Sequence, residues 1–163
     1  MKRPRAVGAR ARAGPGRGRP AGLGAAPGRK AAGPAVSEVW KSQPEDHDYP
    51  AAEDFLSLVM APALARAVAR ALRKADLVHR KAKDIIRASR LEVLPPTNPH
   101  VRADLAKVRA GKALSPILLV RGDARFGAPL LIADGYHRVC ASFLLDENAD
   151  IPCRIADLPR GGV

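Results

Sequence analysis

Residues 134–138, Asp-Gly-Tyr-His-Arg, bring a carboxylate, a glycine, an imidazole and a guanidinium within five positions. They sit where one apolar spacing gives way to another. The run "PLLIA" before them reads as a buried strand, and Val139, Cys140, Phe143 and Leu144 after them fall on one face of a helix. A strand that feeds directly into a helix leaves the first backbone N–H groups of that helix without partners, and the helix dipole points with them. Such a terminus attracts anions. Gly135 removes a side chain where a ligand would approach and permits unusual backbone angles. Arg138 adds a planar, permanently charged fork suited to phosphate oxygens, and His137 adds a donor whose charge depends on its surroundings. Asp134 has three roles open to it: capping the helix, holding Arg138, or carrying a divalent cation such as Mg²⁺ between phosphates. As the carboxylate at the turn, it is also the candidate catalytic residue. The same five residues admit a plain structural reading, with Asp134 as a cap, Arg138 as a surface side chain and His137 satisfied by a carbonyl.

The elements that must hold this turn follow from the patterns on either side. "SPILLVRG" predicts a buried strand at 117–120, "DARFGA" a turn-rich connection, and "IPCRI" a closing strand at 151–155. Val101, Leu105 and Val108 predict a helix over 101–111 that stops at Gly111. "LEVLPPTNPH" before it is a proline-broken loop. "DLVHRK" suits a short strand and "AKDIIRASR" a helix. Residues 62–74 make the strongest helical pattern: Pro62 suits the first turn, Leu64, Val68 and Leu72 repeat at i, i+4 and i+8, and Arg66, Arg70, Arg73 and Lys74 take the opposite arc. The apolar face of that helix is expected to pack on the domain and its basic face to be solvated. Residues 37–54 are acidic and carry Pro44 and Pro50, which suggests an extended arm docking Trp40 and Tyr49. A short helix near Ala51 is expected to bury Phe55, Leu58 and Val59.

Charge divides the chain sharply. The net charge is +12, yet residues 1–36 hold nine basic residues and no acid, while the other 19 Lys and Arg face all 16 acids. Ala, Arg, Gly and Pro supply 30 of those first 36 residues, a composition too poor in apolar side chains to offset the entropy of ordering. This segment is expected to be disordered. It reads as a basic arm for nucleic acid, as a solvated linker, or as an upstream extension of a reading frame in a GC-rich, bacterial genome. No stretch approaches the ~20 apolar residues of a membrane span, and no secretory signal is evident. A cytoplasmic location and buried thiols at Cys140 and Cys153 are therefore expected, with no metal site built from cysteine.

The run "ADGYHRVCA" resembles the Gly-x-His-Arg turn of the ParB/sulfiredoxin superfamily, and the order of elements across residues 91–158 is similar to that of the superfamily's domain. The resemblance implies a small α+β domain with a short mixed sheet. It is preceded by an acidic arm and a helical region over 37–90 and by the basic tail over 1–36. It also implies nucleotide binding, since members of this fold bind ATP, ADP or CTP, and phosphate contacts from Gly135, His137 and Arg138. By position in the domain, Arg121 and Arg109 would be further anion contacts, with Lys112 as a substitute for either. Two departures limit what carries over. Tyr136 stands where sulfiredoxins have their catalytic cysteine, so repair of a sulfinic acid is not expected. No helix-turn-helix follows the domain, so ParB-type DNA reading is not expected either. Phosphotransfer or nucleotide hydrolysis stays open. The alternative is a non-enzymatic module that binds nucleic acid or protein through residues 1–36 and Arg66, Arg70 and Arg73.

Overall fold

The computed structural model describes residues 36–159. Four strands form one mixed sheet: β1 (Leu77–Lys81), β2 (Ile117–Val120), β3 (Leu131–Asp134) and β4 (Asp150–Ala156). Their spatial order is β1-β4-β2-β3. β4 runs antiparallel to β1 and parallel to β2, and β2 runs antiparallel to β3. Five helices accompany the sheet: α1 (Asp48–Val59), α2 (Pro62–Lys74), α3 (Ala82–Ser89), α4 (Pro99–Arg109) and α5 (Tyr136–Leu145). The fold is α+β with a short mixed sheet, as expected.

All four side chains of β2 are buried, because both faces of the sheet are covered. Leu118 and Val120 face α1 and α2, packing with Tyr49, Leu56, Val68 and Leu72. Ile117 and Leu119 face the opposite layer, where Ile85 of α3 and Val139 of α5 meet Ile132, Ile151 and Cys153. Val101 and Leu105 of α4 pack on Cys140 and Ala141 of α5. Val68 and Leu72 of α2 are buried while Arg66, Arg70 and Arg73 are exposed, so this helix lies on the sheet as expected.

Three expectations change. Phe55, Leu58 and Val59 do not form the packing face of α1; Leu58 is 83% exposed, and the buried face is Tyr49, Ala52 and Leu56. The small Ala52 allows the close approach of helix and sheet, while Tyr49 supplies apolar area that the acidic surroundings disguised. On α5, Leu144 is exposed and Ala141 and Ser142 take the buried positions instead. Finally, residues 37–90 share the sheet and the cores of 91–158: β1 pairs with β4 from Leu77–Arg154 to Lys81–Asp150. The disorder and nucleic-acid role expected of residues 1–35 lie outside the described residues.

Candidate functional site

Gly135 links β3 to α5 with φ +99°, a left-handed conformation that glycine alone adopts without strain. A Cβ there would also lie 2.4 Å from Cγ2 of Ile117 and 3.2 Å from Nε of Arg138. The glycine therefore lets the turn sit directly against β2. No side chain caps α5. Asp134 is not the cap; it is the last residue of β3, and its carboxylate accepts from Nη2 of Arg138 one helical turn away. The sheet register shifts between Leu118 and Leu119, leaving Ala133 as an extra residue just before Asp134, the kind of bulge that re-aims a strand end.

The guanidinium of Arg138 is fixed from three sides. Besides Asp134, it lies 3.5 Å from Oδ1 of Asp48, and its Nη1 donates to the Ser115 carbonyl at 3.0 Å. Asp48 is 3% exposed and is held in turn: the Ser115 hydroxyl donates to it, and the Glu45 amide donates to Oδ2 at 2.9 Å. His47 Nε2 stands 3.5 Å from Oδ1 of the same carboxylate. Burial raises the pKa of Asp134 to about 6; the Asp48 carboxylate pushes the same way, against the attraction of Arg138. Two carboxylates thus share one arginine in a poorly hydrated place, and Asp134 gives up its proton only near pH 6.

His137 follows Tyr136 in the first turn of α5. Its ring lies 4.7 Å from that of His100, at the start of α4. Burial, and then His100, lower its pKa against the opposing pull of Asp104, so the imidazole is neutral and a single-proton donor near pH 7. Tyr136 donates its hydroxyl to the Glu92 carbonyl, and the Cys140 thiol accepts from the Leu94 amide at 3.4 Å. The loop before α4 is thereby pinned to α5. Cys140 and Cys153 are both buried free thiols.

A cavity of about 450 Å³ opens at this turn, bordered by Asp134, Gly135, His137 and Arg138, by Ser115 and Asp48, and by Lys41, Lys107 and Lys112 together with Glu45 and Asp104. Lys41 pairs with Glu45 at 2.5 Å and Lys107 with Asp104 at 3.0 Å. Among the described residues no carboxylate pairs with Lys112. A second cavity of about 560 Å³ adjoins the first, sharing Asp134, Gly135 and His137 and lined otherwise mostly by apolar side chains.

Of the residues picked from sequence, Asp134, Gly135, His137 and Arg138 come together here. Arg121 does not: it follows β2 at the opposite end of the strand from Gly135, pairs with Asp157 at 2.6 Å and borders a separate cavity. Arg109, exposed in the last turn of α4, borders neither cavity at the turn; Lys107 and Lys112 do. Of the arginine stripe on α2, Arg73 stacks 4.1 Å over the Tyr49 ring and lies 3.6 Å from Asp46, leaving Arg66 and Arg70 outward. Asp48, Ser115, His47 and Lys41 were not picked. The acids of residues 37–54 signalled an unusual segment, but no spacing ties Asp48 to a turn ninety residues later.

Among the described residues, no group of three or more His, Cys, Asp or Glu side chains is arranged to hold a metal ion, and no helix is long and apolar enough to cross a membrane. No family model, curated protein or solved structure matches the chain.

Proposed function

We propose that residues 36–159 form a ParB/sulfiredoxin-like nucleotide-phosphate-binding domain acting in the cytoplasm. One observation carries the reading: the uncapped N-terminus of α5 opens, through Gly135, into a cavity bordered by His137 and by Lys112, which pairs with no carboxylate among the described residues. Unpartnered N–H groups and the Lys112 ammonium suit an anion, while Lys41 and Lys107 at the same border are paired with Glu45 and Asp104. A volume of about 450 Å³ lies within the range of small-molecule sites.

The nucleotide, with the Mg²⁺ its phosphates carry, supplies an activated phosphoanhydride. His137 donates one hydrogen bond, and Lys112 neutralises charge at the rim. Arg138 is held by Asp134, Asp48 and the Ser115 carbonyl, and the two carboxylates offset its charge, so its part is to hold the turn rigid rather than to fork onto phosphate. Asp134 positions Arg138. With its pKa near 6, it is also the group able to take a proton from an attacking hydroxyl or water. Arg109 and Arg121 have no part in this reading.

Calorimetric titration of the chain with ATP, ADP, CTP and GTP, with and without Mg²⁺, tests it. Binding in the micromolar range is expected, weakened about ten-fold in His137→Ala and in Lys112→Glu with thermal melting unchanged. Absence of binding by all four, or binding indifferent to both variants, overturns it. Arg66 and Arg70 point outward on α2 and favour a second reading, nucleic-acid binding helped by residues 1–36. Salt-sensitive binding that survives His137→Ala and falls on deletion of 1–36 would select that reading instead.

A further inference from the structure

Residues 36–43 cross the domain before α1 begins, and no helix or strand of their own holds them. Trp40 forms a parallel bridge with Leu114: the Lys41 amide donates to the Leu114 carbonyl and the Leu114 amide to the Val39 carbonyl, both at 2.8 Å. The Trp40 side chain is half-buried against the core that holds Ile85 and Val139. Gln43 accepts a hydrogen bond from Arg154 of β4. Just beyond, the Glu45 amide donates to Asp48 and to the Ser115 hydroxyl, at the clamp on Arg138. Lys41 and Glu45 both border the polar cavity. This strap therefore forms one side of that cavity.

One further contact of the strap is unlike the others. Glu38 is half-buried, and its Oε1 atom is enclosed without a hydrogen-bond partner. The groups that face it are Ser142 and Asp146, at the C-terminal end of α5, and Trp40 of the strap itself. The Ser142 hydroxyl is completely buried and is also without a partner. Asp146 is the charged neighbour, and its sign is the same as that of an ionised Glu38. The C-terminal end of a helix adds partial negative charge of its own. Among the described residues no basic side chain pairs with Glu38. Burial raises the pKa of this carboxyl above the ordinary glutamate range; the polar groups of Ser142 and Trp40 oppose this, and Asp146 adds to it. An ionised carboxylate is costly in such a place, and a neutral one is not.

We infer that residues 36–43 are a proton-dependent strap: neutral Glu38 latches it against the end of α5, and ionisation of Glu38 loosens it and opens the side of the polar cavity that Lys41 and Glu45 border. In the loosened strap the carboxyl meets water and titrates as an ordinary glutamate. Docked, it keeps its proton to higher pH. The latch is therefore complete below the ordinary glutamate range and is lost as pH rises through the docked pKa. The inference is independent of what the cavity binds.

Amide hydrogen exchange of the full chain tests it, followed at Lys41 and Leu114 between about pH 4.5 and about pH 8 and corrected for the intrinsic pH dependence of exchange. Both amides are expected to lose protection several-fold as pH rises. Asp134 gives up its proton in the same window, at about 6, so Glu38→Gln, which is neutral throughout, separates the two. In that variant the profile is expected to flatten, with both amides better protected than in the parent at the alkaline end. A residue that only packed the strap would change protection equally at every pH. Constant protection in the parent overturns the inference, and so does a variant that loses as much protection as the parent.

Discussion

The β2–β3 hairpin has an arginine–aspartate pair near each end, and the two ends differ in almost everything else. At one end, Arg138 lies between Asp134 and Asp48, with its side chain 13% exposed and that of Asp48 4% exposed. At the other, Arg121 meets Asp157 and Arg125 meets Asp123, with both arginines largely in water. The chemistry is the same and the energetics are not. An exposed pair is screened and contributes little, while a buried one becomes a liability when either partner is removed, because the survivor is left charged without water. The buried end borders the candidate site and the exposed end does not, so fixed geometry is concentrated where a ligand would need it.

The largest effect is expected from Arg138→Ala, which strands two carboxylates at once. Urea denaturation should show a loss of about 3–5 kcal/mol. A loss below about 1 kcal/mol would place this pair with the exposed ones and dissolve the contrast. Gly135→Ala comes next. Overlap with Ile117 and the left-handed backbone together should cost about 3 kcal/mol in the same measurement. Gly127→Ala, at φ +68° with nothing within 4 Å of the added carbon, is its control at the other end. It should cost only the backbone strain, about 1 kcal/mol.

Acidity sharpens the contrast further. The folded pKa of Asp134 is raised to about 6, above the ~3.9 of an unfolded aspartate. Below pH 4 the residue is protonated in both states, and its stabilising contribution is fully present. As pH rises from about 4 to about 6, the unfolded state releases the proton first, and that contribution is lost. Denaturation midpoints across this window should reveal a decline on the order of 2 kcal/mol from this group, absent in Asp134→Asn. An unchanged slope in that variant would show that Asp134 titrates like an ordinary surface acid. The smallest effect belongs to Arg121→Ala, at or below about 1 kcal/mol and further reduced by salt.

The same contrast explains what could be read from sequence. The turn was legible because its chemistry is consecutive: Asp134 through Arg138 lie within five positions, between a strand pattern and a helix pattern. The strands β2 and β4 and the helices α2, α3 and α4 were legible because burial imposes local periods. Asp48, Ser115 and Lys41 were not: Asp48 reaches Arg138 through the docking of α1, Ser115 meets it from the segment before β2, and Lys41 only borders the same cavity, and no local period encodes any of these. The face of α1 was misread for a related reason. Large side chains at Phe55, Leu58 and Val59 suggested burial, but packing selected Tyr49, Ala52 and Leu56 instead. Arg121 and Arg109 were chosen by position in the domain, and strand direction sends Arg121 to the far end of β2.

The strand order β1-β4-β2-β3 carries a consequence for how the chain is made. β4 is the last of the four described strands in chain order, yet it lies inside the sheet, between the first strand and the second. Until residue 156 has left the ribosome, β1 has no partner and β2 is paired on one side only. Both then present open edges of the kind that recruit other chains. The strands made earlier therefore cannot complete their tertiary structure as they emerge, and must wait, with unsatisfied edges, until β4 has been made.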